Sequence, residues 1–429
     1  MTWIGAVLAG AVWVVAAVTA AAQEIPYEPV TPPTPGASVC PGGLCQAEGL
    51  NSLFEALAAS EAEERAEPVR IVQIGDSHTL GDRITGKVRA DLQGRFGHGG
   101  RGALPAGPPY GGYAPFQANM EARGWAVEAA PLHYLASGPV PDFGLAALRG
   151  RAVPGAELTI RLEPGAEARR VGVCGWPRGR GDGLSIDPDN DLPWLADLNG
   201  SDDDGPACFR FDMPRRATEL TLSGVGPGVI LDTVWTESGE GGVVLSSLGQ
   251  SGGMLADLAS RDDRMVGMTL GALEPSLIVL AYGTNEGFDD GLDPVAYEQL
   301  LRAQIARLRR MPPFGVAILI LGAPDALRGG QTDGCSADGQ RAPPPSLGLV
   351  RDVQRRVAAD LGVAFWDWHG RMGGDCSADR LALRTDPYVR GDRVHFTGAG
   401  ADWIGGVLAA DLMAAYDAWK AERTGRSAD

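Results

Sequence analysis

The sequence predicts an α/β protein: a doubly wound, mainly parallel sheet with an inserted β-sandwich module. Three observations carry this expectation. Short apolar runs at 69–74, 276–283 ("SLIVLAYG"), 315–322 ("GVAILILG") and 363–368 ("VAFWDW") suit strands buried on both faces. Helical patterns lie between them, and strand–helix alternation makes a sheet covered by helices. Residues 115–240 break that rhythm with β-type runs separated by Gly, Pro and Asp-rich turns, and no convincing helix. With 429 residues, 44% of them apolar, the chain can bury one large core and a smaller one.

Residues 2–22 carry no charged side chain and end in an Ala-x-Ala pattern before Gln23. Residues 1–22 therefore read as an export signal that lacks the usual basic start. About 20 apolar residues would also suit an uncut membrane anchor, and membrane contact is expected only in that case. Small residues crowd the end of the segment and favour cleavage, and no cysteine follows to take a lipid. Residues 23–47 are rich in Pro and Gly and read as an extended linker.

A helix is expected at 50–66, running into the strand at 69–74. Asp293-Pro294 caps a later helix with Leu301, Ile305 and Leu308 on one face. The last helix, 399–421, places Ile404, Val407, Leu408, Leu412 and Trp419 on an apolar stripe. Inside the module, the strand candidates are "AELTIRL" (156–162), "RRVGVCGW" (169–176), "ACFRFD" (207–212) and "VILDTVW" (229–235). An insertion at a loop needs only that its ends lie close together. The limits are then 48–114 and 241–422 for the α/β domain and 115–240 for the module.

The formal net charge is −17, and the uncharged first segment contributes nothing to it. An acidic chain is a poor partner for nucleic acid, which needs clustered Lys and Arg. Six cysteines in an exported chain suggest disulfides, and their spacing favours Cys40–Cys45, Cys174–Cys208 and Cys335–Cys376. There is no C-x-x-C pair, so a zinc site is not expected. The expected location is the periplasm or the cell exterior.

Two stretches raise the question of a nucleophile. "RIVQIGDSHTLGDR" (70–83) runs a strand into a tight turn that exposes Ser77. "VVLSSLGQSGGMLADL" (243–258) fits the G-x-S-x-G elbow pattern with Ser251. A serine needs a base near neutrality, and the chain has five histidines: His78, His98, His133, His369 and His395. His395 stands in a polar loop before the last helix with Asp392 three residues upstream, where one loop can hold the carboxylate against the ring. "AYGTNEGF" (281–288) ends a central strand with Asn285, whose NH₂ can serve an oxyanion. Gly252 and Ser77 offer backbone N–H groups. A serine-based reaction of this kind needs no metal or organic cofactor.

"GDSH", "GQSGG", "GTNE" and "DRVH", in this order and each at a strand end, resemble the SGNH (GDSL-type) hydrolases. The resemblance covers about 66–110 and 243–420. It implies a flavodoxin-like sheet, a catalytic Ser77, Asp392 and His395, and an oxyanion hole of Ser77, Gly252 and Asn285, with Gly249 the rival for Gly252. Within that family the chain looks most like the bacterial peptidoglycan O-acetylesterases. The features are "RFGHGGRG" (95–102), "GTNE", "FWDWHGRMGG" (365–374) and a module inserted between the first two blocks. The resemblance implies a serine esterase acting on an acylated polysaccharide, peptidoglycan favoured, and a module of carbohydrate-binding type.

The rival constellation is an α/β-hydrolase with Ser251, Asp367 and His395. It leaves "GDSH" and "GTNE" without roles and lacks the strands that should precede its elbow. Glu286 is a candidate substrate contact. His78 is expected to give structural support, because neighbouring side chains at a strand end point apart. His369 is expected to shape a turn near the site, Trp366 and Trp368 to pack, and His98 and His133 have no assigned role. An acyltransferase using the same residues and a non-catalytic glycan-binding protein remain open as other functions.

Overall fold

Every residue of Leu277–Ala281 is buried, and its side chains divide by parity. Leu277, Val279 and Ala281 join one apolar core, and Ile278 and Leu280 join a second on the opposite face. That is what a strand covered on both faces requires. It sits in a six-stranded sheet ordered Leu44–Cys45, Ala364–Trp366, Ala317–Leu321, Leu277–Ala281, Val69–Gly75, Val243–Gly249. All neighbours are parallel except the edge strand Leu44–Cys45. The computed structural model describes residues 32–133, 143–177, 183–189, 191–197, 205–226, 228–330 and 332–426. The expected export signal lies outside these residues.

Three helices, Asn51–Glu61, Arg83–Phe96 and Gly398–Arg426, cover one face through Leu57, Val88 and Ile404. Asp263–Leu273, Pro294–Arg309 and Pro345–Leu361 cover the other through Leu270, Ile305 and Val353. The first helix ends at Glu61, short of the expected residue 66, where Glu63 takes a left-handed backbone (φ 56°). Asp293 does cap its helix, accepting from the Val295 and Ala296 N–H groups. From Val69–Gly75 the chain next fills the neighbour on one side, Val243–Gly249, and then crosses to Leu277–Ala281 on the other. The carboxyl end of Val69–Gly75 is thus a switch point, where open α/β sheets leave a crevice.

Between those first two parallel strands the chain builds antiparallel sheets. One holds Ala118–Arg123, Glu157–Leu162, Glu219–Val225, Gly183–Pro188 and Trp194–Asp197. The other holds Ala207–Ala217, Ala168–Pro177, Val229–Glu237, Leu148–Ala152 and Ala126–Ala129, with Gly102–Pro105 also on Val229–Glu237. Leu158, Ile160 and Leu220 of the first share a core with Val171, Val173 and Leu231 of the second. Trp176, Ile230 and Trp235 pack instead with Met265, Val266 and Leu270, so this sheet leans directly on the α/β body. Gly172 makes that contact possible, since a Cβ there would lie 1.9 Å from the Trp235 ring.

Two stretches differ from their sequence reading. Gly102–Pro105 already belongs to the antiparallel sheet, upstream of residue 115. Its four residues follow a glycine-rich turn and are too short to show a period. Residues 36–47 of the Pro/Gly-rich stretch do not run free as a linker. Leu44–Cys45 pairs with Ala364–Trp366, and Asp367 accepts from the Ser38 hydroxyl and the Val39 N–H. Main-chain pairing and polar anchors hold this stretch, and neither depends on apolar periodicity.

The "RFGHGGRG" turn owes its form to a buried ion cluster. Asp82 accepts from Arg101 at 2.6 Å, Arg89 at 2.7 Å, the Thr85 hydroxyl at 2.6 Å and the Phe116 N–H at 2.9 Å. Burial pushes the Asp82 carboxyl up, but the two guanidiniums outweigh it and hold it below its ordinary value. The cluster ties the first α/β block to the chain entering the antiparallel sheets. The cysteines pair as the spacing predicts: Cys40–Cys45, Cys174–Cys208 and Cys335–Cys376. Three disulfides mark an extracytoplasmic protein. Among the described residues no helix is long and apolar enough to cross a membrane.

Candidate active site

Val69–Gly75 ends against its neighbours so closely that a Cβ on Gly75 would lie 2.5 Å from the Ala281 carbonyl. Asp76 then caps a four-residue helix, Ser77–Leu80, by accepting from the His78 N–H at 2.8 Å. Ser77 stands at the head of that helix, half-buried, with its Oγ 3.0 Å from His395 Nε2. His395 Nδ1 lies 2.8 Å from Asp392 Oδ2. The other carboxylate oxygen, Oδ1, accepts the Val394 and His395 N–H groups, so the loop fixes its own carboxylate. Partial burial pushes Asp392 up, but the His395 ring and these N–H groups outweigh it and keep its carboxyl below the ordinary value. Hydroxyl, imidazole and carboxylate thus form one hydrogen-bonded row spanning residues 77–395. This geometry permits His395 to take a proton from Ser77 while Asp392 holds the tautomer.

His78 is buried and supports the row from behind. Its Nδ1 meets Asp76 at 3.2 Å and its Nε2 meets the Val394 carbonyl at 3.1 Å. Burial opposes the charged ring, but the Asp76 carboxylate outweighs it and pushes His78 above its ordinary value. Trp368 packs edge-on to His78 and stacks on Phe396, the residue after His395. Trp366 is buried and donates to Asp411. Both tryptophans pack, as their sequence setting suggests.

The "GQSGG" turn is brought beside Ser77 by strand pairing, with Gly249 opposite Gly75. A Cβ on Gly249 would lie 2.3 Å from the Leu80 nitrogen, so Gly249 serves close packing of the turn against the Ser77 helix. Gln250 locks the turn by donating to the Ala130 carbonyl at 2.6 Å and accepting from Arg261. Gly252 has φ +71°, and no hydrogen bond among the described residues takes its N–H. Asn285 donates to the Gly253 carbonyl at 2.9 Å, which ties its amide to this turn and leaves a second N–H. The three donor positions named from the sequence thus lie on neighbouring strand ends.

Ser251 is exposed in the turn and shares a cleft of about 320 Å³ with Ser77 and His395. His395 bonds to Ser77, and Asp367 faces the opposite way, toward Ser38, Val39 and Gly370. The constellation Ser251, Asp367 and His395 is therefore not assembled. Glu286 is not a surface contact either. It is 4% exposed, and its Oε1 accepts the Leu255 N–H at 2.7 Å. Burial pushes its carboxyl up to about 7. It is a buried anchor for the helix Leu255–Ala259, a role invisible in a four-letter motif.

His369 lines a different cleft, with Arg351 and Arg355, and bonds Asp375 at 2.9 Å. Asp325, His369 and Asp375 bring ligand-type atoms within 4.8 Å of one another. Arg351 lies 3.5 Å from Asp375 and supplies positive charge there. Sequence reasoning missed Tyr110 and Arg390, which line the Ser77 cleft. Nothing in their local patterns marks them, because fold alone carries them there.

No protein-family model matches the chain, and no curated protein matches it. Among solved structures, the chain is similar to a peptidoglycan O-acetylesterase, with 25% identity and a TM-score of 0.74. That match covers 88% of this chain and 99% of the other. A family two carbohydrate esterase from Cellvibrio japonicus matches at 11% identity over 57% of this chain and 86% of its own, with a TM-score of 0.20. An acetyl xylan esterase matches at 18% identity over 40% and 81%, with a TM-score of 0.28. The last two superpose too poorly to bear on the site.

Proposed function

We propose that this chain is an SGNH-type serine esterase that removes O-acetyl groups from a cell-envelope polysaccharide, most specifically peptidoglycan. The observation that carries the reading is the row from Ser77 Oγ through His395 to Asp392 at 3.0 and 2.8 Å, in a chain similar over most of its length to a peptidoglycan O-acetylesterase. In this reading the sheet is the flavodoxin-like core of the family. The two antiparallel sheets are an inserted β-sandwich module of carbohydrate-binding type, and the protein works in the periplasm or outside the cell.

Ser77 Oγ attacks the acetyl carbonyl carbon while His395 Nε2 takes its proton. Asp392 stabilises the imidazolium, and the oxyanion is held by the Ser77 and Gly252 N–H groups and the Asn285 amide. Collapse passes the proton to the departing sugar oxygen and leaves acetyl on Ser77. Water, deprotonated by His395, then attacks that ester, and acetate leaves as Ser77 recovers its proton.

The test is acetate release from purified O-acetylated peptidoglycan, with an acetylated glucan in parallel and Ser77→Ala as the blank. Ser77→Ala should lose turnover of peptidoglycan and of a small aryl acetate, while Ser251→Ala keeps most of both. The opposite pattern would move the chemistry to Ser251. Transfer of acetyl from aryl ester to added oligosaccharide, with no release from polymer, would make the chain an acyltransferase. Glycan binding with no turnover of any ester would make it a binding protein.

A further inference from the structure

The cleft beside Ser77 has two walls of different origin. One is the loop that carries His395 and the start of Gly398–Arg426, and it includes Arg390. The other holds Tyr110, in the loop between the antiparallel strands Gly102–Pro105 and Ala118–Arg123. The inserted sheets thus lend a side chain to the reaction cleft.

Arg390 is exposed and held in place. Its N–H donates to the His395 carbonyl at 2.7 Å, and its Nε donates to the Phe396 carbonyl at 3.0 Å. Among the described residues no carboxylate lies within ion-pair reach of its guanidinium. Its neighbours differ: Arg83, also lining the cleft, pairs with Asp402 at 3.1 Å, and Arg393 pairs with Asp379 at 2.7 Å. In a chain of net charge −17, a fixed guanidinium with both terminal nitrogens free is a fork set for an anion. Tyr110 is 50% exposed and edge-on to Tyr113 at 5.6 Å, so a ring face is available to a sugar.

We infer that Arg390 and Tyr110 form the recognition rim of this cleft, Arg390 pairing with a carboxylate on the glycan beside the acetylated hydroxyl and Tyr110 stacking on the sugar ring. This rests on the esterase reading and narrows its substrate to carboxylate-bearing glycans. Peptidoglycan belongs to that class through the carboxylates of its peptide substituents, whereas cellulose-type glucans do not.

The experiment compares kcat/KM for the full chain and its Arg390→Gln, Arg390→Lys and Tyr110→Ala variants on three acetylated substrates. These are O-acetylated peptidoglycan, an acetylated polyuronate and an acetylated neutral cello-oligosaccharide. Arg390→Gln should lower the preference for either carboxylated glycan over the neutral one by about five- to tenfold, mainly through KM. Arg390→Lys should restore part of it, and 0.5 M salt should shrink the gap. Tyr110→Ala should weaken both glycan classes relative to an aryl acetate. Equal loss from Arg390→Gln on all substrates would assign Arg390 to holding the His395 loop and overturn the inference, as would no loss. A wild type inactive on peptidoglycan yet showing Arg390-dependent preference for the polyuronate would remove the peptidoglycan reading and keep this one.

Discussion

Replacing Glu286 by Gln should flatten the pH dependence of stability, and the size follows from its surroundings. The carboxyl is 4% exposed, and one oxygen accepts the Leu255 N–H. Burial outweighs the lowering by nearby backbone N–H groups and, with a smaller push from the Asp76 carboxylate, raises it from 4.5 to about 7. Below pH 4.5 both folded and unfolded chains hold this proton. Between 4.5 and 7 the folded chain keeps it and the unfolded chain has lost it, so stability falls as pH rises. Above 7 the full loss is present, about 3 kcal/mol for a shift of this size. Gln keeps the acceptor for Leu255 and cannot ionise. Urea unfolding followed by tryptophan fluorescence, with disulfides intact, at pH 4.5, 6 and 8 reads the difference. Relative to wild type, Glu286→Gln should gain roughly 3 kcal/mol between pH 4.5 and pH 8. Parallel curves for the two proteins would refute the account of a buried, raised Glu286 carboxyl.

Two catalytic perturbations follow from the same site. Asp392→Asn should cost on the order of 10⁴ in kcat on an aryl acetate, because the ring loses the acceptor that fixes its tautomer; a loss below about tenfold would remove Asp392 from the row. Asn285→Ala should cost roughly 10²–10³ in kcat, the usual loss for one oxyanion donor. A near-normal rate for that variant would show that its amide serves only the Gly253 carbonyl.

Three blocks, "GDSH", "GQSGG" and "GTNE", were legible in the sequence because each joins an apolar strand to a turn that local residues dictate, whereas "DRVH" stands in a loop between two helices. Asp76 caps the Ser77 helix, Asp392 bonds its own loop, and Gly75 and Gly249 permit close backbone approach. Such features act over a few residues, so a short motif records them. The two-sided burial of Leu277–Ala281 and the disulfide pairing were equally readable, from an unbroken apolar run and from spacing.

What tertiary structure decided has no local signature. Ser77 and Ser251 both follow strands and both line the cleft; block order favours Ser77, but its 3.0 Å contact with His395 across 318 residues exists only in the folded chain. Glu286 was a candidate substrate contact, yet it is buried and accepts the Leu255 N–H at the start of the helix Leu255–Ala259. Asp82, Arg89 and Arg101 are far enough apart in the sequence that no short motif joins them, but packing buries them as one cluster. Tyr110 reaches the cleft from the loop between two strands of the antiparallel sheets. Sequence sets what each segment can form by itself; the burial of a charge and the meeting of distant side chains depend on what the rest of the chain lays over them.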